Sequence, residues 1–575
     1  MKFLAIILTL AAILSMLACP AAATEPEPSL EDTFKGATLA GIYEGDLSSM
    51  SRALELGLLT CQELTQFYLD RIDAYNDDYN CFITICEDAL EIAAEKDAQL
   101  AAGNAQGLLF GIPVVVKDNM DYAGTHTTSG HKKTDSQIAD SNADVVQYLL
   151  DEGAIIIGKT NMSTDAQDAR ASISYAVGET KNAYSTHITS GGSSGGSASA
   201  VSLNFAAAGL GTDTNSSLRY PAALNGCVSL RPTWDTLSTE GIDTLNPTRD
   251  VPGVLTRTVY DQALVLDVIS GGSTSYAESL NADLLDGMRI GVLKQLYQPS
   301  ASRPEDQIDS EIVAAFENAL AELEACGAEL VYMRIDGLIS MSNATLDTNS
   351  SSPKKKLYSA FRDALEENNV AAVVFPTYIS APLKTGTDEN GVTWDIYTQD
   401  YITNCKVLGP SCGVPEISVP IGTHSSGAGI GMEICSLKNE EQLLLNIAYG
   451  YTLRYDHREI PADTPNLLAA DAAGSLASVL DRYEEALTNP TEPPTEAPTE
   501  APTEKKEKPT KAPTPTTDVE DSAEVPQDDE PADRRWLLWI PAGLAVLFVL
   551  DRIYQAVLRK KRRKQRRRPR MVHHK

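Results

Sequence analysis

Cysteine is sparse in this chain, with nine in 575 residues, and Cys19 lies within the apolar N-terminal stretch. The other eight, Cys61, Cys81, Cys86, Cys227, Cys326, Cys405, Cys412 and Cys435, form no C-x-x-C pair and no Cys/His spacing of the zinc-site kind. No metal site and no cofactor is therefore expected. Buried free thiols and one or two disulfides both suit eight cysteines spread over a body large enough to build a core without staples. Basic charge is also short, with 47 Lys and Arg against 79 Asp and Glu and a net charge of −32. Eleven of those bases crowd into Arg559–Lys575 with no acid among them, which leaves the remainder at −43. A body this acidic repels nucleic acid, so a nucleic-acid-binding role for it is excluded. The low aromatic fraction of 6% and the 43% hydrophobic content fit a globular enzyme body without naming a function.

The two ends read differently from the middle. Residues 1–23 have the form of a secretory signal: Lys2, an apolar run from Phe3 to Ala18, then Ala21-Ala22-Ala23 as a small-residue cleavage site. Lipidation at Cys19 is the alternative processing. Residues 488–535 repeat Pro-Thr-Glu and then alternate Lys-rich with acidic stretches, a composition that cannot bury a core and reads as an extended stalk. Residues 536–558 are apolar except for Asp551, Arg552 and Gln555, and at ~23 residues exceed the ~20 needed to cross a bilayer. The basic tail 559–575 follows directly and predicts a cytoplasmic C-terminus, with the body outside the cell.

Residues 30–487 alternate helical and strand-like patterns. Thr60-Cys61-Gln62-Glu63 is a capping box, followed by a helical apolar stripe of Leu64, Phe67, Tyr68, Ile72 and Tyr75. Short β-rich runs occur at Pro113–Val116, Ala154–Ile157, Ile290–Val292, Ala371–Phe375 and Ile417–Val419, with helical stretches such as Glu87–Ala102 and Glu311–Cys326 between them. The alternation predicts one large α/β domain with a mixed, largely parallel central sheet covered by helices on both faces. Outside the stalk no internal repeat is found.

Three segments in this body carry chemistry. In Gly111-Ile112-Pro113-Val114-Val115-Val116-Lys117-Asp118-Asn119 a lysine ends a run of β-branched residues. Apolar surroundings there disfavour the ammonium and supply a neutral amine as a base. Gly191-Gly192-Ser193-Ser194-Gly195-Gly196-Ser197 has the composition of a linker, yet it precedes the apolar Ala198–Leu203 and so opens a helix, whose first N–H groups are free. Gly211-Thr212-Asp213-Thr214-Asn215-Ser216-Ser217-Leu218-Arg219 is a polar turn whose successive N–H groups can converge on one oxygen. Together they supply a base, a relay hydroxyl and a nucleophile beside an oxyanion hole.

In their order and content these segments resemble the amidase signature family. The resemblance runs from about Leu47 to Leu453 and includes Gly158-Lys159-Thr160-Asn161-Met162, Leu230-Arg231-Pro232-Thr233, Phe375-Pro376-Thr377 and Gly413-Val414-Pro415 with Ile417–Pro420. It implies an amidase acting on carbon–nitrogen bonds other than peptide bonds. Ser217 matches the nucleophile, Ser193 the relay serine that follows a cis peptide bond, and Lys117 the base. The backbone N–H groups of Thr214, Asn215, Ser216 and Ser217 match the oxyanion hole, and Ser194 is expected to support Lys117 by a hydrogen bond. Pocket walls are expected from Ser163–Ser172 and from the region after Thr377. The family also contains subunits that amidate misacylated tRNA, a role that an exported, acidic body fits poorly. A small-molecule amide is the expected substrate, and nothing fixes the oligomeric state.

One departure stands out. Where the family has Gly-Gly before the nucleophile, this chain has Asn215-Ser216. Glycine permits positive φ and close approach, Asn tolerates the left-handed region, and Ser216 adds bulk beside the acyl group. A reshaped pocket is expected, and a catalytically impaired binding protein on the same scaffold is the non-enzymatic rival. A second rival reads Gly191-Gly192-Ser193-Ser194-Gly195 as the G-x-S-x-G elbow of an α/β-hydrolase, with Ser193 as nucleophile and His424 or His457 completing a triad.

Overall fold

Thr60 starts the first long helix as its capping box predicts. Its hydroxyl accepts from the Glu63 amide at 3.0 Å, and the Glu63 carboxylate accepts from the Thr60 amide at 3.0 Å. Helix α1 (Cys61–Tyr79) follows, burying Leu64, Phe67, Tyr68 and Ile72, and ends at Asn80 in the left-handed conformation. The computed structural model describes residues 29–488, except 301–302, 347–349, 388–390 and 469–473. The signal-like residues 1–23, the stalk, the apolar stretch 536–558 and the basic tail all lie outside the described residues. Among those described, no helix is long and apolar enough to cross a membrane.

Eleven strands form one sheet: β1 (Phe82–Ile85), β2 (Pro113–Lys117), β3 (Ile155–Thr160), β4 (Ala208–Asp213), β5 (Val228–Arg231), β6 (Val251–Thr256), β7 (Arg289–Leu293), β8 (Glu329–Met333), β9 (Ala372–Pro376), β10 (Glu416–Thr423) and β11 (Gly429–Cys435). Their order is β1-β3-β2-β4-β6-β5-β10-β11-β9-β7-β8. Successive strand residues face opposite sides of a sheet, so the unbroken burial of β2, β3, β4, β6, β9 and β11 means that both sides are covered. Flanking helices include α2 (Gly195–Ser202), α3 (Arg219–Leu224), α4 (Val259–Ile269), α5 (Ser310–Ala325) and α6 (Glu441–Thr452).

The expected α/β domain with a mixed sheet is therefore found, and one part of the expectation needs correcting. The sheet is not largely parallel: parallel pairing is confined to β2–β3, β2–β4, β7–β8 and β7–β9. The other six pairings are antiparallel. A strand covered on both faces reads as a continuous apolar run whichever way its neighbour points, so the sequence pattern carries no direction.

All eight cysteines of the described body are buried free thiols, which decides between the two readings of them. Burial pushes the Cys61, Cys86 and Cys412 thiols up to about 12 and holds them protonated.

Candidate active site

The parallel pairing of β2 with β4 sets Val114 against Ala208 and Val115 against Gly209. Continued to the strand ends, this register brings Lys117 level with the Gly211-Thr212-Asp213 end of β4. Lys117 is fully buried, and its Nζ lies 2.6 Å from Ser193 Oγ and 2.8 Å from Thr212 Oγ1. Burial pushes its pKa down to about 7, against an opposing pull from Asp250 and Asp213. A lysine in this state is about half neutral near pH 7 and mostly neutral by pH 8, with a lone pair free to accept a proton.

Ser193 follows a cis peptide bond from Gly192, as the resemblance implies. The glycines here allow backbone to lie on backbone: a Cβ on Gly192 would stand 2.4 Å from the Asp168 carbonyl oxygen, and one on Gly211 2.7 Å from Ser194 Oγ. Ser194 does not bond to Lys117 as expected. Its hydroxyl donates to the Thr212 carbonyl at 3.2 Å and accepts from the Thr212 amide at 3.3 Å, and the Thr212 side chain supports the lysine instead. The Ser194 amide donates to the Ser217 carbonyl at 3.1 Å and so ties the Gly191–Ser197 loop to the 213–217 turn. Among the described residues, the Ser217 hydroxyl makes no hydrogen bond to Ser193.

The turn 213–217 is held by buried charge. Arg219 bonds to Asp213 through Nε at 3.0 Å and Nη2 at 3.3 Å, to Glu433 at 3.1 Å and to Glu416. It also donates to the carbonyls of Asn215 at 3.2 Å and Cys405 at 2.9 Å, and Arg231 reaches Asp213 at 3.1 Å. All five charged side chains are fully buried. Burial raises both glutamates against the opposing pull of Arg219, and the neighbouring Glu433 raises Glu416 further. None of the amides of Thr214, Asn215, Ser216 and Ser217 donates to another described residue, so all four remain free to donate.

The Asn215-Ser216 departure proves conformationally mild. Neither residue has positive φ, so the backbone does not demand glycine here. Ser216 Oγ is buried and faces the buried Tyr401 hydroxyl, so its bulk lies in a wall of the site. The expected walls are also adjacent: the Ala169 carbonyl accepts from the Gly192 amide at 3.0 Å, and Tyr378 and Tyr401 pack on Tyr220 at 5.5 and 5.4 Å.

The α/β-hydrolase rival fails on geometry. His424 bonds to Ser426 at 2.8 Å and Asp309 at 3.4 Å, His457 bonds to Glu322 at 2.8 Å, and neither reaches Ser193 or Ser217.

Sequence reasoning missed Thr212, Asp250 and the Glu416–Glu433 pair. The pair left one signal, a single charged residue in each of two otherwise uncharged strands. Thr212 left none beyond its place in the motif. Thr212→Val removes an acceptor that keeps one Lys117 N–H turned away from Ser193. It should lower kcat by about 10-fold with KM nearly unchanged, about what one oriented neutral hydrogen bond provides.

Residues 63–346 match the family model described as Amidase. A glutamyl-tRNA(Gln) amidotransferase chain of Thermosynechococcus vestitus is 31% identical over 68% of this chain and 93% of its own. The chain belongs to the amidase signature family. Among solved structures, the native peptide amidase of Stenotrophomonas maltophilia aligns with a TM-score of 0.62 at 27% identity, over 73% of this chain and 98% of that one. A bacterial aryl acylamidase of the amidase signature family shares the fold at TM-score 0.61 and 18% identity, over 74% of this chain and 99% of that one. This amidase signature protein is an enzyme that hydrolyses a carbon–nitrogen amide bond with a serine nucleophile.

Proposed function

We propose that Ser217 is that nucleophile, Ser193 the proton relay and Lys117 the base. The observation that carries this reading is the 2.6 Å bond from a fully buried lysine, its pKa near 7, to Ser193 Oγ. Neutral Lys117 takes the Ser193 proton as Ser193 takes that of Ser217, whose hydroxyl rotates toward Ser193 when substrate fills the site. Ser217 Oγ attacks the amide carbonyl, and the amides of residues 214–217 hold the oxyanion. The proton returns through Ser193 to the leaving nitrogen, the C–N bond breaks, and an ester on Ser217 remains. Water, deprotonated through the same relay, hydrolyses that ester to a carboxylic acid and restores the Ser217 hydroxyl.

The substrate is proposed to be a small-molecule or terminal amide, in line with relatives that are a peptide amidase and an aryl acylamidase. The amidotransferase chains are related by sequence, but the acidic body argues against a tRNA partner here. The domain is further proposed to work outside the cell, tethered by the stalk and a helix over 536–558 with the basic tail in the cytoplasm. The order signal, body, stalk, apolar segment and basic tail supports that placement. A fluorophosphonate probe should label wild type at Ser217 and leave Ser217→Ala unlabelled, with amide hydrolysis lost in parallel. Undiminished labelling of Ser217→Ala would overturn the assignment.

A further inference from the structure

We propose that the substrates of this enzyme carry a carboxylate, and that Arg170, with Lys406 beside it, forms the subsite that binds it. The proposal rests on Ser217 being the nucleophile. Arg170 is placed by the loop that carries Ser193. The residue before it, Ala169, accepts from the Gly192 amide at 3.0 Å, and the residue after it, Ala171, pairs with Gly191 as an isolated bridge. Its guanidinium lies 4.9 Å over the Tyr401 ring. Tyr401 in turn packs edge-on against Tyr220 of α3 at 5.4 Å and faces Ser216, next to the nucleophile. Arg170 is therefore joined to the relay loop through its backbone neighbours and to the 213–217 turn through Tyr401.

Its charge is unanswered. Arg170 Nε is buried without a hydrogen-bond partner, and among the described residues no carboxylate comes within ion-pair distance of the guanidinium. The nearest acid in sequence, Asp168, is occupied: one oxygen accepts from the Arg170 amide at 2.8 Å and the other from the Tyr397 hydroxyl at 2.6 Å. More positive charge lies on a neighbouring cavity that shares Tyr401 with this site, though Arg170 itself does not line it. A cavity of about 250 Å³ is lined by Tyr401, Lys406 and Arg303 and by no acidic residue. Lys406 stands exposed at its edge. Loss of water around part of its side chain first, and the cations Arg303 and Arg170 next, push it below the usual lysine range. Three like charges gathered without acid partners, in a chain with a large acidic excess, oppose one another and the cost of their own desolvation. A carboxylate bound there relieves both, and the planar arginine fork matches its two oxygens. Stacking on Tyr401 fixes the plane of that fork before substrate arrives.

The test uses the full-length protein. Malonate, succinate, glutarate and adipate are compared with the matching diamides as protectants of Ser217 against a fluorophosphonate probe. At least one diacid should protect ~10–100-fold better than its diamide, the range set by hydrogen bonds to a charged group. Arg170→Met should abolish that preference, Arg170→Lys should restore part of it, and Lys406→Gln should weaken it. The same contrast should appear as a KM difference between 4-nitroanilides of succinic or glutaric acid and those of butanoic or pentanoic acid. Protection in each variant is normalised to its own labelling rate without competitor, and an unchanged urea-unfolding midpoint for Arg170→Met shows that the fold survives. Equal protection by every diacid and its diamide, with Ser217 labelled normally, overturns the carboxylate subsite and leaves the nucleophile standing. Absence of Ser217 labelling in wild type overturns both.

Discussion

Lys117→Ala should lower kcat/KM for amide hydrolysis by at least ~10³-fold, within the range for losing a positioned proton-transfer group. No other described base replaces it: His424 and His457 are engaged elsewhere, with Asp309 and Glu322. Lys117→Arg should be as inactive, because a guanidinium stays charged and offers no lone pair. The wild-type pH profile follows from the direction of the shift. Burial lowers the lysine to about 7, so the competent neutral form is scarce at pH 6, half present near pH 7 and dominant by pH 8. kcat/KM should therefore rise tenfold per pH unit below the midpoint and flatten above it. Asp250 opposes the shift by favouring the ammonium, so Asp250→Asn should move the rising limb to lower pH. A limb that stays in place in that variant, or a profile flat from pH 5 to 9, would show that another group sets the rate. The readout is the initial rate at limiting substrate in overlapping buffers of constant ionic strength.

The chemistry is more legible in the sequence than the frame that holds it. Lys117, Ser193 and Ser217 stand in segments whose glycines and small residues serve close backbone contact, so their motifs survive as readable strings. Strand positions are legible for a similar reason: Pro113–Val116 and Ile417–Val419 are β-rich runs that form most of β2 and part of β10. Strand direction is not, because β10 and β11 pair antiparallel with nearly the same unbroken burial as the parallel β2 and β3. Chain order points to Ser194 as the support of Lys117 because it adjoins Ser193, whereas Thr212 arrives from a neighbouring strand. Asn215-Ser216 suggests strain relieved by asparagine, and the turn instead has no positive φ at either residue. The carboxylates of Glu416 and Glu433 come from strands about 200 residues beyond the turn they anchor. Only the folded sheet brings them to Arg219.

That anchor supplies the second large effect. Arg219→Met should destabilise the domain by about 3–5 kcal/mol, the cost of removing one partner from a buried ion cluster. The substitution leaves Asp213 with Arg231 alone and strands Glu416 and Glu433 beside each other with no cation in contact. Protonating both glutamates relieves part of the repulsion, so the loss should be smaller at pH 5 than at pH 8. The midpoint of urea unfolding should fall with little change in its slope, because the surface exposed on unfolding is nearly the same. Activity should suffer beyond the loss of folded protein, since Arg219 also holds the Asn215 carbonyl at 3.2 Å and with it the aim of the four free amides. Displacing those amides costs stabilisation only where charge develops, so folded Arg219→Met should bind substrate nearly as wild type while kcat falls. Glu416→Gln supplies the contrast. Burial already favours the neutral form of Glu416, so making it permanently neutral should leave the unfolding midpoint at neutral pH close to wild type. A loss as large as that of Arg219→Met would mean that both glutamates are ionised and that each is needed to balance the two arginines.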